Sequence, residues 1–574
     1  MITRTALIGL ICIGILSSIP VAAQEPLTIE PNLEPGKVYN LKTLPRTWFD
    51  FVYPSSAVWS ENVAISWYSC GPEASLPPGQ NTVEAEEFLL YVVNGPVTVQ
   101  TNGGEKVLHD TDCMLFTRGD LCTVSIGKDS VEFLMIQWPM PPMLLSMQHW
   151  RAKTPPNAAI PPSSAPTLEP DEVTCLRTIE KVTLENGILG RLVQAERGQL
   201  LNCTFMSDAV MSPAASSGEE FLFVMRGSLE KTINGKTVTM NAGDVMFLPE
   251  GMNHGTKAGQ YGCETLSLIT PATNDFAARY ERNSKKIKSL VAQTEPDVLV
   301  DGAALDPPIT SLTEGPSWIQ GKLYFTDQRS RMFAVNPDGS YDIILNDTAV
   351  CGTTTLPNGN LALCDLTNKR VIEISPSGKI IKVLANSDTG LPDGNPNDLV
   401  ADSKGGIYVT INDFTGQLEK TDVIVYISPG GEVRMLTSYK EIDFPNGIVV
   451  NPDGSRLFVS SRDKVVWMFD VENDGSISNK QPFASMVLPD LHVGMPNVMV
   501  MADGMEIDAE GNIYVATAMV GGIQVFEKSG DYIGTIPIPS TNLEFGGKDM
   551  KTLYITSTGK VVSLKMNVAG IRKN

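Results

Sequence analysis

From about residue 320 the hydrophobic pattern repeats on a long scale. A turn residue, usually glycine, leads into a short apolar run with aromatic content: GKLYFTD (321–327), GNLALCD (359–365), GGIYVTI (405–411), SRLFVSS (455–461), GNIYVAT (511–517) and KTLYITS (551–557). Runs this short, bounded by turn residues and rich in β-branched and aromatic side chains, predict strands rather than helices. Each of the first five copies is followed by a strand, a Gly-containing turn and another strand, as in MFAVNPDGSYDIIL and VIEISPSGKIIKVL, which predicts a β-hairpin. The copies are spaced 38, 46, 50, 56 and 40 residues apart, a repeat array whose units bury their faces only against one another. Residues 295–574 are therefore expected to form a six-bladed β-propeller. Only VVSLKM (561–566) follows the sixth copy, and DVLVDG (297–302) is the candidate for its missing outer strand. That pairing would remove an exposed edge.

Before residue 290 a different unit occurs twice. AEEFLLYVVNGPVTV (85–99) matches GEEFLFVMRGSLEKTI (218–233), and each leads through a turn to an acidic step, GGEKVLHDTDCMLFTRGD (103–120) and NGKTVTMNAGDVMFLPEG (234–251). Short strands between Gly turns predict two small β-barrels, over residues 40–140 and 173–285, joined by a Pro- and Ala-rich linker, 141–172. GEEFLFVMRGSL and GDVMFLPEGMNHG (243–255) resemble the two cupin motifs, and the first copy resembles them more faintly. The fold class is thus all-β: tandem cupin-like β-barrels followed by a six-bladed β-propeller.

The N-terminus changes the expected address. Arg4, the apolar stretch Ala6 to Leu16 and the small residues Val21-Ala22-Ala23 read as a secretory signal peptide over residues 1–23, which places the chain in the periplasm or outside the cell. The formal charge of −21 argues against nucleic acid and anionic lipid as partners, and no segment calls for membrane insertion. Of nine cysteines, Cys12 lies in the signal. The other eight permit disulfides in an exported protein, with Cys351–Cys364 and Cys113–Cys122 as candidates by proximity, but buried free thiols fit equally well.

The candidate chemistry sits just ahead of the repeated strand. Glu314 lies seven residues before Gly321, Asn397 eight before Gly405, Asn446 nine before Ser455 and Asp503 eight before Gly511. If each repeated strand is the innermost of its blade, the loops before them open at one end of the channel and these four side chains converge there. Two carboxylates and two amides offer oxygen only, which suits calcium, with magnesium or manganese as alternatives and zinc a further one to test.

The flanks of these residues carry a resemblance. TEGPSW, PNDLV, FPNGIVVNPDGSRLFV, DGMEIDAEGNIYVA and LEFGGKDMKTLYIT resemble the senescence-marker-protein/gluconolactonase family over about residues 297–566. The resemblance implies Glu314, Asn446 and Asp503 as direct metal ligands, Asn397 on the water or substrate side, and Asp503 as catalytic base. Asp398 is the second candidate for that base. Asn395 stands where some members carry Arg, YVTINDF (408–414) departs from a common continuation, and His492 in LHVGMPN is a possible pocket residue. The implied function is an exported, metal-dependent hydrolase of lactones or related esters, with a small-molecule lactone or sugar derivative as substrate. A non-catalytic carbohydrate-binding protein and a propeller enzyme of non-hydrolytic type are the alternatives. The barrels lack the paired His of a metal-binding cupin. Only His254, with Glu219 or Glu220, stands where a ligand would, so they read as scaffold, carbohydrate-binding module or surface for a homodimer.

Overall fold

A computed structural model describes residues 33–44, 46–47, 55–60, 62–72, 83, 86–138, 167–185, 187–272, 274–488, 493–495, 502–517 and 522–572. The proposed signal peptide, most of the linker and His492 lie outside the described residues. Among the described residues the chain is all-β apart from the helix Asn274–Leu290 and three short 3-10 turns. It divides into two compact units, one of residues 1–34, 45–161 and 169–173, the other of 35–44, 162–168 and 174–574.

In the first unit, Asp112–Thr117, Glu87–Asn94, Val131–Trp138, Ala64–Cys70 and Ser55–Trp59 lie side by side, and Gly104–Leu108, Val97–Thr101 and Thr123–Ile126 form a smaller sheet. Phe88, Leu90, Met114, Phe116 and Phe133 fill the space between them. The second unit opens with a nine-stranded sheet built on two long strands, Glu219–Ile233 and Asn253–Thr270. Their pairing shifts register around Val224–Leu229, which lets the strands bend around an apolar interior that includes Leu201, Phe205, Leu222 and Met246. Val38–Asn40, from ahead of the first repeat copy, adds to this sheet beside Asp244–Leu248.

Six four-stranded antiparallel sheets follow. Their first strands are Glu314–Ile319, Val350–Thr355, Asn395–Ala401, Ile448–Val450, Ala502–Ile507 and Asn542–Gly546. Each neighbours the first strand of the next sheet, and the sixth neighbours the first. The repeated apolar runs are the second strands, not the innermost ones: Lys322–Thr326, Leu361–Asp365, Ile407–Asn412, Arg456–Ser460, Ile513–Thr517 and Thr552–Thr556. A second strand is hydrogen-bonded on both edges and packed on both faces, so its sequence is continuously apolar. Turns such as Asn336–Ser340 close with Asn336 N–H donating to Ser340 O at 2.8 Å and Gly339 at φ +84, the type I turn plus bulge that the Asn-Pro-Asp-Gly run specifies.

The sixth sheet draws its outer strand from upstream, as the sequence suggests: Asp297–Asp301 pairs antiparallel with Lys560–Lys565. Val300 is 5% exposed and packs with Leu323, Phe325, Phe333 and Val561. Val300→Asp places an uncompensated charge there and is expected to cost about 3 kcal/mol or more, read as a lowered urea midpoint of the six-sheet transition.

All eight described cysteines are free thiols. Neither candidate pair is bridged. Cys351 and Cys364 pack instead as small apolar side chains between the second and third sheets, and Cys122 packs in the interior of the first unit. No helix among the described residues is long and apolar enough to cross a membrane.

Candidate functional site

Three of the four polar residues singled out by phase do not sit in loops before the innermost strands. Glu314, Asn397 and Asp503 are part of those strands, at or inside bulges, and Asn446 lies two residues ahead of Ile448–Val450. In the first sheet Glu314 opposes Thr326 but Ser317 opposes Tyr324, so three steps on one strand match two on its partner. The same slip occurs between Val350 and Thr353, Pro396 and Leu399, and Ala502 and Met505. A bulge leaves a residue unpaired and re-aims its side chain. The residues inside the slips are Gly315-Pro316, Cys351-Gly352, Asn397-Asp398 and Asp503-Gly504. Asn446-Gly447 takes the same place in the fourth sheet, with Asn446 N–H donating to Ser460 O and Ser460 N–H to Gly447 O, both at 2.9 Å.

The small residues in these slips make room for neighbouring sheets. A Cβ on Gly352 would lie 2.5 Å from Asp398 Oδ1, one on Gly447 would lie 2.2 Å from Asp503 O, and one on Gly504 would lie 2.0 Å from Asn542 Oδ1. Glycine is required here by the close approach of chains at the centre.

Glu314, Asn397, Asp398 and Asn446 are buried, and Asp503 is half-buried. Gly504 N–H donates to Thr541 O at 2.9 Å and Asn446 Nδ2 to Ala502 O at 3.3 Å, and both groups lie close enough to Asp503 to favour its carboxylate. The Asn542 amide and Gly315 N–H donate to Glu314. Thr410 Oγ1 donates to Asn446 O at 2.7 Å and accepts from Asp398 N–H at 3.1 Å, tying the third and fourth sheets together. Ser460 Oγ donates to Asp503 O at 2.9 Å. Asp398 Oδ1 accepts from Leu399 N–H at 2.9 Å.

Electrostatics bring three carboxylates into one field. Burial first, then Asp503 and Asp398, hold the Glu314 carboxyl well above the usual carboxylate range. Burial and then the Asp398 charge push Asp503 up to about 7, against the pull of Asn446 and Gly504. Among the described residues no salt bridge reaches Glu314 or Asp503. Like charges that raise one another's pKa form a site that gains from a cation. Among the described residues, no three His, Cys, Asp or Glu side chains are grouped closely enough to hold a metal ion. Any cation here would therefore draw on amide oxygen as well.

Two in-phase residues were missing from the sequence reading. Asn542 lies nine residues before Lys551, as Asn446 lies nine before Ser455, and Cys351 lies eight before Gly359, as Asn397 and Asp503 lie eight before their glycines. Phase alone could have found both. Cys351 is buried, and burial, then Glu314, Cys364, Asp398 and Asp503, push its thiol up. Asn395 begins the third sheet opposite Asn412, whose amide donates to Pro445 O at 3.0 Å.

In the second barrel His254 Nε2 stands 3.8 Å from Glu220 Oε2, too far for a hydrogen bond, while Ser267 Oγ donates to Glu220 Oε1 at 2.6 Å. Lys231 is buried beside them, its ammonium donating to Thr256 Oγ1 at 2.9 Å. Burial lowers both Lys231 and His254 below their ordinary values. A lysine thus shares the interior that His254 and Glu220 face.

Residues 312–559 match the family described as the SMP-30/Gluconolactonase/LRE-like region, and residues 203–262 match the cupin domain. The gluconolactonase of Zymomonas mobilis is 23% identical over 290 residues, 45% of this chain and 79% of that protein. Pentonolactonase XacC of Haloferax volcanii is 25% identical over 262 residues, 43% of this chain and 82% of that protein. Lactonase drp35 of Staphylococcus aureus is 34% identical over 169 residues, 29% of this chain and 49% of that protein. With the matched span covering the six sheets from Glu314 to Thr556 and the barrel match lying ahead of it, the chain carries an SMP-30/Gluconolactonase/LRE-like domain with a cupin domain N-terminal to it.

Proposed function

We propose that the six sheets are the blades of a propeller and that its mouth hydrolyses lactones with the help of a divalent cation. The observation that carries the reading is the mutual field of Glu314 and Asp398, both buried, and the half-buried Asp503, with amides from neighbouring sheets beside them. The lactonase names of the relatives support the reaction class.

Glu314, Asn446 and Asp503 would hold the cation, and an oxygen-only set with two carboxylates fits calcium better than a softer metal. When bound, the cation supplies positive charge for the carbonyl oxygen as it becomes an oxyanion. Asp398 or Asp503 takes the proton of the attacking water. The new C–O bond forms as the carbonyl π pair moves onto its oxygen, and the ring C–O bond breaks when that oxyanion re-forms the carbonyl. The proton then passes to the departing alkoxide, giving a hydroxy acid. Asn397 and Asn395, on the strand that carries Asp398, are assigned to the substrate's hydroxyl groups.

The test is direct. The mature chain is assayed for acid release from aldonolactones and aromatic lactones with calcium, magnesium, manganese or zinc added singly. Glu314→Ala is expected to lower cation affinity at least tenfold in a thermal-shift titration. Absence of hydrolysis on the whole panel, or wild-type cation affinity in the variant, would refute the reading. Export is part of the proposal, checked by the N-terminal sequence of the protein recovered outside the cytoplasm, which should begin at Gln24.

A further inference from the structure

The second barrel touches the six sheets at a specific place. Met206, directly after the strand Gln199–Phe205, belongs not to the interior of its own barrel but to the buried apolar cluster that holds Val466, Met486, Val493, Ala502 and Met505. Ala502 and Met505 flank Asp503 and Gly504, and Ala502 O accepts from Asn446 Nδ2 at 3.3 Å. The 56-residue spacing between the fourth and fifth repeat copies is the longest in the array. The connection it contains runs from Ser485 to Ala502 and delivers the chain to Asp503.

That connection is held at both ends of its described part. Near its start, Val487 exchanges two 2.8 Å hydrogen bonds with the Gln524 amide. Further on, Gly494 N–H donates to Tyr261 O of the barrel at 3.0 Å. Gly494 adopts φ +79, and a Cβ there would lie 2.5 Å from Gly227 N. Backbone therefore rests on backbone, a seat that only glycine permits. A long connection left untied would let the strand it feeds sample many positions.

We infer that the second barrel is a positioning element for the candidate site: Met206, together with the seat that Gly227 and Tyr261 give to Gly494, fixes where Asp503 stands. The inference rests on the hydrolytic reading for its consequence, but not for its geometry. Met206 is a positioning residue, acting through Ala502 and Met505, with no contact to substrate.

The experiment uses the full chain with Met206→Ser, Met206→Leu, and the milder Met206→Ala in case the serine variant does not fold. Amide exchange is followed in 502–507 and, as reference, in 395–401, the corresponding strand of the third sheet. Met206→Ser or Met206→Ala should speed exchange in 502–507 at least tenfold and leave 395–401 unchanged. On a lactone cleaved by the wild type, kcat should fall at least tenfold with KM within twofold, the mark of a misplaced catalytic group. Met206→Leu should restore both. Equal loss of protection in the two strands, or none in 502–507, would overturn the inference. If the wild type cleaves no lactone, the hydrolytic reading fails separately, and exchange alone decides the positioning claim.

Discussion

Asp503→Asn should abolish most lactonase activity and, in the metal-free protein, raise stability. The first effect follows from the charge that Asp503 contributes as ligand and as candidate base. Removing a positioned acid–base group costs about 10²- to 10⁴-fold in rate, and the neutral amide also weakens the hold on a cation. The second effect follows from linkage. In the folded chain Asp503 is raised to about 7, with burial and Asp398 as causes. The folded state therefore binds a proton that the unfolded state has released, and ∂ΔG/∂pH is negative across that window. The stability this proton provides is complete below about pH 4 and is lost as pH rises through about 7. At 1.4 kcal/mol per unit, the loss is up to about 4 kcal/mol. Asp503→Asn should flatten this slope. Added calcium should reverse it in the wild type, because cation binding releases the shared proton and strengthens as pH rises. Urea midpoints from pH 4 to 8, with and without calcium, are the measurement. A wild-type slope of opposite sign in the metal-free protein would remove the electrostatic account.

Gly447→Ala should be strongly destabilising. Its Cβ would stand 2.2 Å from Asp503 O and 2.9 Å from Gly504 Cα. Both are backbone atoms of a neighbouring strand, so no rotamer change relieves the clash. One of the two bulges must move. Overpacking of this kind costs about 1–3 kcal/mol where side chains can yield, and more where they cannot. A loss of about 3 kcal/mol or more is expected, with cation affinity falling even under conditions where the chain is folded. Gly405→Ala is the comparison. It alters a turn glycine at φ +87 whose Cβ meets nothing closer than 4.0 Å, so it should cost about 1 kcal/mol and leave cation affinity unchanged. Calorimetric unfolding and a calcium titration of the two variants separate strain at the mouth from strain in general.

The difference between these glycines shows what the sequence could reveal. The second strands were legible because they are buried on both faces: GIYVTI and NIYVAT carry uninterrupted apolar runs, Ile407–Val409 and Ile513–Ala516. The first strands were not. Where they carry the candidate site they are rich in polar, small and proline residues, and TEGPSW or GNPNDLV reads as loop. The bulges also break the two-residue alternation from which strands are recognised. The reading therefore moved each site residue one strand outward, yet kept its phase, because a bulge repeated at the same register preserves spacing. Glu314, Asn397, Asn446 and Asp503 were found for that reason. Asn542 shares their phase and lies in a strand without a slip in pairing, and Cys351 shares it too, although a thiol does not resemble its amide and carboxylate counterparts. In the second barrel His254 and Glu220 were legible from their motif. Lys231 was not, since a lysine in a strand of alternating character reads as solvent-facing. Nothing in the local pattern revealed that Val38–Asn40 would join a sheet built from residues near 245. Such pairing is decided by tertiary contact alone.

The sixth sheet holds one more consequence. Its inner three strands come from the far end of the repeat array and its outer strand, Asp297–Asp301, from the near end. During synthesis, then, the first strand of the array must wait for the last. Glu314 meets Asn542 only when that wait is over. A ribosome that stops early releases a chain with most of its sheets and several of its carboxylates, but with the mouth incomplete. Such fragments should be catalytically silent and open-edged, which marks them for proteolysis. The pairing of Asp297–Asp301 with Lys560–Lys565 thus makes the sixth sheet the last to be completed as the chain is synthesised.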